Sequence, residues 1–357
     1  MALRRGEGFI CNGSDVPDGF GWYLLRQSDQ SKAPPVASAQ VVLTPEFEYL
    51  ADGDVVHLEP SRGALRALFR KSAPYNHFLL TERCNNYCLM CSQPPRAVDD
   101  GWIVDEILAA LPLIDREASE IGFTGGEPTL LGPRFIELVR AAASHLPRTA
   151  LHILSNGRNF KDESLARDLA QVLHHDLMMG IPVYADLAHI HDHVVQADGA
   201  FDETIRGILN LKRHGIRVEI RVVLQLQTIP RLVDLARFIT RNLLFVDHVA
   251  LMGLELTGFA RANLEQIWID PIDYQQELVE AVGILDRVGI RTSIYNSQLC
   301  VLDARLRRFS RRSISDWKQQ FMPECDGCTL QSDCGGFFAS ASIRHSRGIR
   351  AMVDQPA

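Results

Sequence analysis

The chain has no long apolar run. Its longest, Ile107 to Ile114, is too short to cross a bilayer, so no membrane-spanning helix is expected. It also lacks a basic excess. Lys and Arg number 37 against 44 Asp and Glu, a net charge of -7, and no overall field favours nucleic acid. No apolar stretch follows the charged start Met1 to Gly8, so no secretory signal is read there and a cytoplasmic protein is expected. Hydrophobic residues make up 46% of the 357, enough for one large domain with one or two small ones.

Cysteine is scarce but not scattered. Seven of the eight fall in two groups, and Cys11 stands apart. Such clustering in a cytosolic chain favours metal over disulfides. Cys84, Cys88 and Cys91 are spaced C-x3-C-x2-C directly after the apolar run His77-Phe78-Leu79-Leu80. Thiolates suit soft metals and iron–sulfur clusters. One short loop with these gaps can wrap a [4Fe-4S] cube and hold three irons, leaving the fourth open to a small molecule. A zinc knuckle would need a fourth ligand that this motif does not supply.

Residues 1–74 read as a small β-rich module, with short apolar runs separated by turns such as Asp52-Gly53-Asp54. It is either a cover on the next domain or a peptide-docking edge. From 75 to 290 strand and helix alternate six times. Strands are expected at 77–82, 120–124, 150–155, 178–185, 217–224 and 246–252, apolar enough for burial on both faces. Helices are expected over 99–116, after Gly132-Pro133, and over 162–174, 202–214, 231–242 and 271–288. Repeated strand–helix units imply parallel strands with right-handed crossovers. Six units make an open, partial (β/α)6 TIM-like barrel, with active groups at the C-terminal strand ends.

Candidate binding groups fall at those ends. The second strand leads into Gly125-Gly126-Glu127-Pro128, where glycines allow close approach and the carboxylate can accept from a bound amine. The third ends in Ser155-Asn156-Gly157, suited to a ribose or carboxylate but also an ordinary turn. Glu219 and Arg221 share a face of the fifth strand. Arg221 there either grips a carboxylate or pairs within the wall. Met252-Gly253 ends the sixth, as a flank for a flat ring. His189, His191 and His193 alternate, as on one face of an extended segment; Asp186 and His191 are the first candidates for substrate contact.

From 291 onward a cysteine-rich region carries Cys300, Cys325, Cys328 and Cys334, four ligands for a second iron–sulfur cluster or a zinc ion. Between them, Leu302 to Lys318 reads as a helix with Arg305, Arg308 and Arg312 on one face and Leu302, Leu306 and Phe309 on another. The basic face is either a solvated surface or a draw for an acidic leader peptide.

Taken together, the three-cysteine loop and Gly-Gly-Glu-Pro resemble the radical S-adenosylmethionine (SAM) superfamily. TERCNNYCLMCSQPP, VALMGLE, WIDPIDY, SISDW, PECDGC and CGGFF further resemble the His-Xaa-Ser system radical SAM maturases, C-type member. That resemblance implies a 5′-deoxyadenosyl radical made by reductive cleavage of SAM, used on a ribosomally made precursor peptide with His-Xaa-Ser repeats. It also implies a sister maturase, and the chemistry needs a reductant such as flavodoxin or ferredoxin. Cys84, Cys88 and Cys91 would carry the SAM cluster. Gly125, Gly126 and Glu127 would meet the SAM amino group, and Ser155 and Arg221 its polar end. The C-terminal cysteines are similar to shortened, twitch-like auxiliary-cluster domains. One departure stands out: the residue before the third cluster cysteine, often aromatic in the family, is Met90. Rival readings keep the chemistry on a nucleotide or in a glycyl-radical activase, or make the chain a binding module stabilised by its clusters.

Overall fold

The computed structural model describes residues 4–11, 20–26, 39–312 and 320–353. The SISDW string therefore lies outside the described residues. The chain divides into two compact units, Met1–Ala73 with Pro112–Asp115, and Pro74–Leu111 with Arg116–Ala357.

In the first unit, β1 (Arg4–Cys11), β2 (Phe20–Arg26) and β3 (Ala39–Leu43) form a parallel sheet in that order. Beside it, β4 (Val55–Glu59) and β5 (Ala64–Phe69) form an antiparallel pair. Cys11 packs with Tyr23 and Leu25, so this lone thiol is a core residue. Leu24, Leu43 and Leu50 close a second apolar cluster with Val56 and Leu65. Asp54 accepts from the backbone N–H of Ala51 and Lys71, tying the turn to the chain beyond β5.

The second unit is built on a seven-stranded parallel sheet in sequential order. Its strands are β6 (Asn76–Leu79), β7 (Glu120–Thr124), β8 (Ala150–Leu154), β9 (Leu177–Pro182), β10 (Arg217–Leu224), β11 (His248–Gly253) and β12 (Thr292–Tyr295). Six were expected. The seventh is only four residues long, within the reach of an ordinary loop, and it lies past the expected boundary at 290. β6 and β12 are the two ends of the order, so the sheet does not close on itself and forms a partial barrel.

Connecting helices include α1 (Gly101–Ala110), α2 (Pro133–His145), α3 (Glu163–Ala170), α4 (Ala188–Val195), α5 (Ala200–Arg213) and α6 (Leu232–Asn242). The short α7 (Gly258–Ala262) and α8 (Leu264–Ile267) and then α9 (Gln275–Arg287) follow. None is long and apolar enough to cross a membrane.

The strands are not apolar on both faces, as their composition suggested. Val218, Ile220 and Val222 are buried on one face of β10. Register places Glu219 and Arg221 on the other, with His152 of β8 and His248 of β11. Period-two alternation thus separates an apolar outer face from a polar lumen.

The helix expected over 302–318 is instead a 3-10 turn over Ala304–Phe309, and 313–319 lies outside the described residues. Arg305 and Arg308 of its basic face pair with Asp303 and Asp286.

Candidate active site

The loop after β6 carries Cys84, Cys88 and Cys91, and hydrogen bonds hold it on several sides. Asp100 precedes α1 where a capping residue belongs, yet its carboxylate does not cap the helix. It accepts from Thr81 Oγ1 and Glu82 N, both at 2.7 Å, and from Arg83 Nε at 3.2 Å. Past the middle of the loop, Tyr87 N and Leu89 N donate to Val195 O and Val194 O at the end of α4. Phe259 N, in α7, donates to Cys91 O at 2.8 Å.

The Gly-Gly-Glu-Pro turn closes on the same loop. Gly126 N donates to Thr81 O, and Glu127 N to Arg83 O, each at 2.8 Å. A Cβ on Gly126 would come within 2.0 Å of Arg83 O, so only glycine permits this approach.

Glu127 is fully buried. Its Oε1 accepts from Thr129 N, Thr129 Oγ1 and Ser155 Oγ, and Oε2 accepts from Asn156 N at 2.6 Å. Burial pushes its carboxyl above the usual range, while these four donors pull it back. These four bonds join the β7 and β8 ends, three on Oε1 and one on Oε2. Ser155 Oγ is likewise engaged, donating to Glu127 and accepting from Gly157 N. Asn156 reaches the cysteine loop, Nδ2 donating to Asn85 Oδ1 at 2.6 Å.

Arg221 and Met252 meet, Nη2 donating to Sδ at 3.0 Å. Nη1 of Arg221 donates to Glu219 Oε1 at 2.7 Å, a pairing within the barrel wall. Glu219 also accepts from His248 Nδ1 at 2.6 Å and lies 3.4 Å from His152 Nε2. Burial alone would raise its carboxyl; the two imidazoles and Arg221 instead hold it well below the usual carboxylate range.

The alternating histidines were expected on an extended segment. They lie on α4, where alternation scatters them around the axis. His191 is 1% exposed, accepts from Tyr184 N at 3.2 Å, and packs between the rings of Tyr184 and Phe201. Burial lowers its pKa to about 4, helped by Arg158 and opposed by Asp192. A side chain enclosed in this way is a core group rather than a substrate contact. Asp186 is gripped at both carboxylate oxygens by Arg231, at 3.0 and 2.5 Å. Met90 lies in an apolar cluster with Leu89, Tyr184, Val194 and Ile267.

Cys300, Cys325, Cys328 and Cys334 line one cavity of about 20 Å³, walled also by Leu299 and Met352. Cys328 Sγ accepts from Met352 N at 3.4 Å. Burial raises the Cys325 thiol, and the other three thiols act in the same direction, which marks all four as neighbours.

The first cysteine group fits a cluster by its donor set. Burial pushes the Cys84 thiol up to about 11, and those of Cys88 and Cys91 also upward. Cys88 feels both of the others. Three such thiols would lose their protons only to a cationic centre. Among the described residues no three His, Cys, Asp or Glu side chains converge on a point that would hold a single ion.

Sequence reading missed two groups that shape this site, Asp100 and Arg158. Asp100 looks like a cap, and Arg158 like a residue after a turn. Neither carries a local signal, because each acts on a loop distant in sequence.

The radical SAM superfamily model matches residues 78–239, the segment bearing both motifs. The antilisterial bacteriocin subtilosin biosynthesis protein AlbA of Bacillus subtilis (strain 168) is 28% identical over 145 residues. That match covers 40% of this chain and 31% of the relative, so the chain spans under a third of the protein it matches. Among solved structures, native anSMEcpe with bound AdoMet superposes with a TM-score of 0.55 at 15% identity, over 77% of this chain and 92% of that one. Streptococcus suis SuiB bound to S-adenosylmethionine gives 0.52 at 13%, over 81% and 77%. These two share the fold. The family match falls on the segment that carries the cysteine loop and spans under half of the chain.

Proposed function

We propose that the chain binds SAM at a [4Fe-4S] cluster held by Cys84, Cys88 and Cys91 and modifies a ribosomally made peptide. The observation that carries this reading is the three-cysteine loop docked, backbone to backbone, on Gly125-Gly126-Glu127. When bound and reduced by one electron, the cluster supplies the means to split SAM into methionine and a 5′-deoxyadenosyl radical, which takes a hydrogen atom from the peptide. The protein's own part is positioning. The Asp100 and Glu127 brackets hold the loop in place, and the strand ends shield the site from water. With the Glu127 carboxylate buried and engaged by four donors, the backbone carbonyls of the Gly125-Gly126 turn are the acceptors we assign to the amine. Arg221 and Met252, already in contact, flank the opposite side.

The finer reading is maturation of a precursor with His-Xaa-Ser repeats, alongside a sister maturase and with flavodoxin or ferredoxin as electron source. It rests on the string resemblances; AlbA, by its name a bacteriocin biosynthesis protein, supports the peptide class. The four C-terminal cysteines around one cavity are read as an auxiliary iron–sulfur cluster with zinc as the alternative, because all-cysteine zinc sites usually show two close pairs and here only Cys325 and Cys328 are close in sequence. The division into a cover or docking module to 74, a SAM barrel and an auxiliary region is read as a functional one, with the last boundary moved from 290 to beyond β12.

Anaerobic reconstitution with iron, sulfide, SAM and dithionite tests the proposal. 5′-Deoxyadenosine is expected from the wild type and none from Cys88→Ala. Equal yields from both would defeat it, as would iron binding without SAM affinity. A His-Xaa-Ser peptide that raises the yield and changes mass would support the substrate class.

A further inference from the structure

We infer that Arg158 is the positioning residue for the first cysteine loop, acting on Cys84 through Asn85 and Asn86. It follows Ser155-Asn156-Gly157, where Gly157 takes φ +80° and turns the chain back toward the loop after β6. Its side chain is 14% exposed. Nη1 donates both to Asn85 O and to Asn86 Oδ1, each at 2.7 Å. Nε donates to Glu203 Oε2 at 2.7 Å, in the first turn of α5, and Lys161 holds the other oxygen of that carboxylate.

Asn85 and Asn86 are two of the three residues between Cys84 and Cys88. Asn86 N in turn donates to Cys84 Sγ at 3.4 Å. The guanidinium therefore fixes, from two sides, the residue whose N–H points at a cysteine sulfur. Its planar fork is what allows three acceptors to be served at once; a lysine offers the charge without that geometry. An N–H on a cluster-ligating sulfur stabilises the reduced state, so the same contact would tune the cluster's potential. That last clause rests on the proposed cluster, whereas the placement of Cys84 does not.

The test uses Arg158→Ala and Arg158→Lys in the full chain. In metal-free, reduced protein, alkylation of Cys84 by iodoacetamide is followed by peptide mass spectrometry, with Cys300 and Cys334 as internal references. Arg158→Ala is expected to speed Cys84 labelling about tenfold, as loss of charge-assisted hydrogen bonds would, and Arg158→Lys less. The reference thiols should keep their rates. In reconstituted protein, a potentiometric titration followed by electron paramagnetic resonance should show a lower midpoint for Arg158→Ala. If Arg158→Ala fails to fold, Glu203→Gln, which frees the guanidinium on one side, carries the same expectation at smaller size. Unchanged Cys84 labelling in a folded variant overturns the inference even if the cluster assembles and SAM is cleaved. Faster Cys84 labelling in a protein that assembles no cluster supports the role of Arg158 while defeating the proposed function.

Discussion

The two cysteine groups of the second unit are built in different ways. The first sits on a loop bracketed by Asp100, by Glu127 through the β7–β8 turns, by Arg158, and by the backbone of α4 and α7. The second lines a cavity closed by contacts such as Gln298 Nε2 to Gly336 O, Thr329 N to Met352 O and the Gln320–Phe337 bridge. The first site is held by distant elements of the barrel; among the described residues the second is held mostly by bonds within 320–352. A site held by protein bonds keeps its shape when empty, and one held by its metal does not.

The largest test of that contrast removes a ligand from each. Cys84→Ala should abolish 5′-deoxyadenosine formation. Cys334→Ala should lower the iron content yet retain SAM cleavage without peptide. Gains or losses that track together would merge the two sites into one functional unit.

A second test adds a methyl group to each region. Gly126→Ala drives a Cβ to 2.0 Å from Arg83 O, whereas Gly335→Ala meets nothing nearer than 3.4 Å. Gly126→Ala should cost about 1–3 kcal/mol in chemical denaturation, and Gly335→Ala should be near neutral. Chelation offers a third. Stripping metal should raise hydrogen exchange more across 320–350 than across 81–91.

The smallest expected effect concerns pH. His191 has a folded-state pKa of about 4, below its ordinary 6.5, because burial disfavours the cation. The unfolded chain takes up the proton first. Stability from this group is therefore complete above about pH 6.5 and falls as pH drops toward 4. Thermal melts across that window should show a shallower acid slope for His191→Gln than for the wild type.

Much of this architecture was legible before any coordinates. The strands at 120–124 and 217–224 end where their apolar runs end. Both cysteine groups stand where spacing put them. The errors have a common cause. Period two in Tyr184 to His193 reads as an extended segment, yet Ala188–Val195 is a helix whose Val194 and Val195 pack with Leu89 of the cysteine loop. The four-residue β12 is too short to register, and the polar lumen of β10 looks locally like any mixed strand. Glu127 was legible as a motif residue but not as one whose carboxylate is turned inward.

Local composition determined the soft-ligand chemistry, the parallel strand–helix repeat and the glycines at the second strand end, since thiol spacing and backbone freedom are properties of neighbouring residues. Folding in three dimensions decided which groups meet. Asp100, Arg158 and Glu127 act across gaps of 17 to 73 residues in sequence. A hydrogen bond between such groups depends on chain closure by the barrel, and no window of sequence contains both partners.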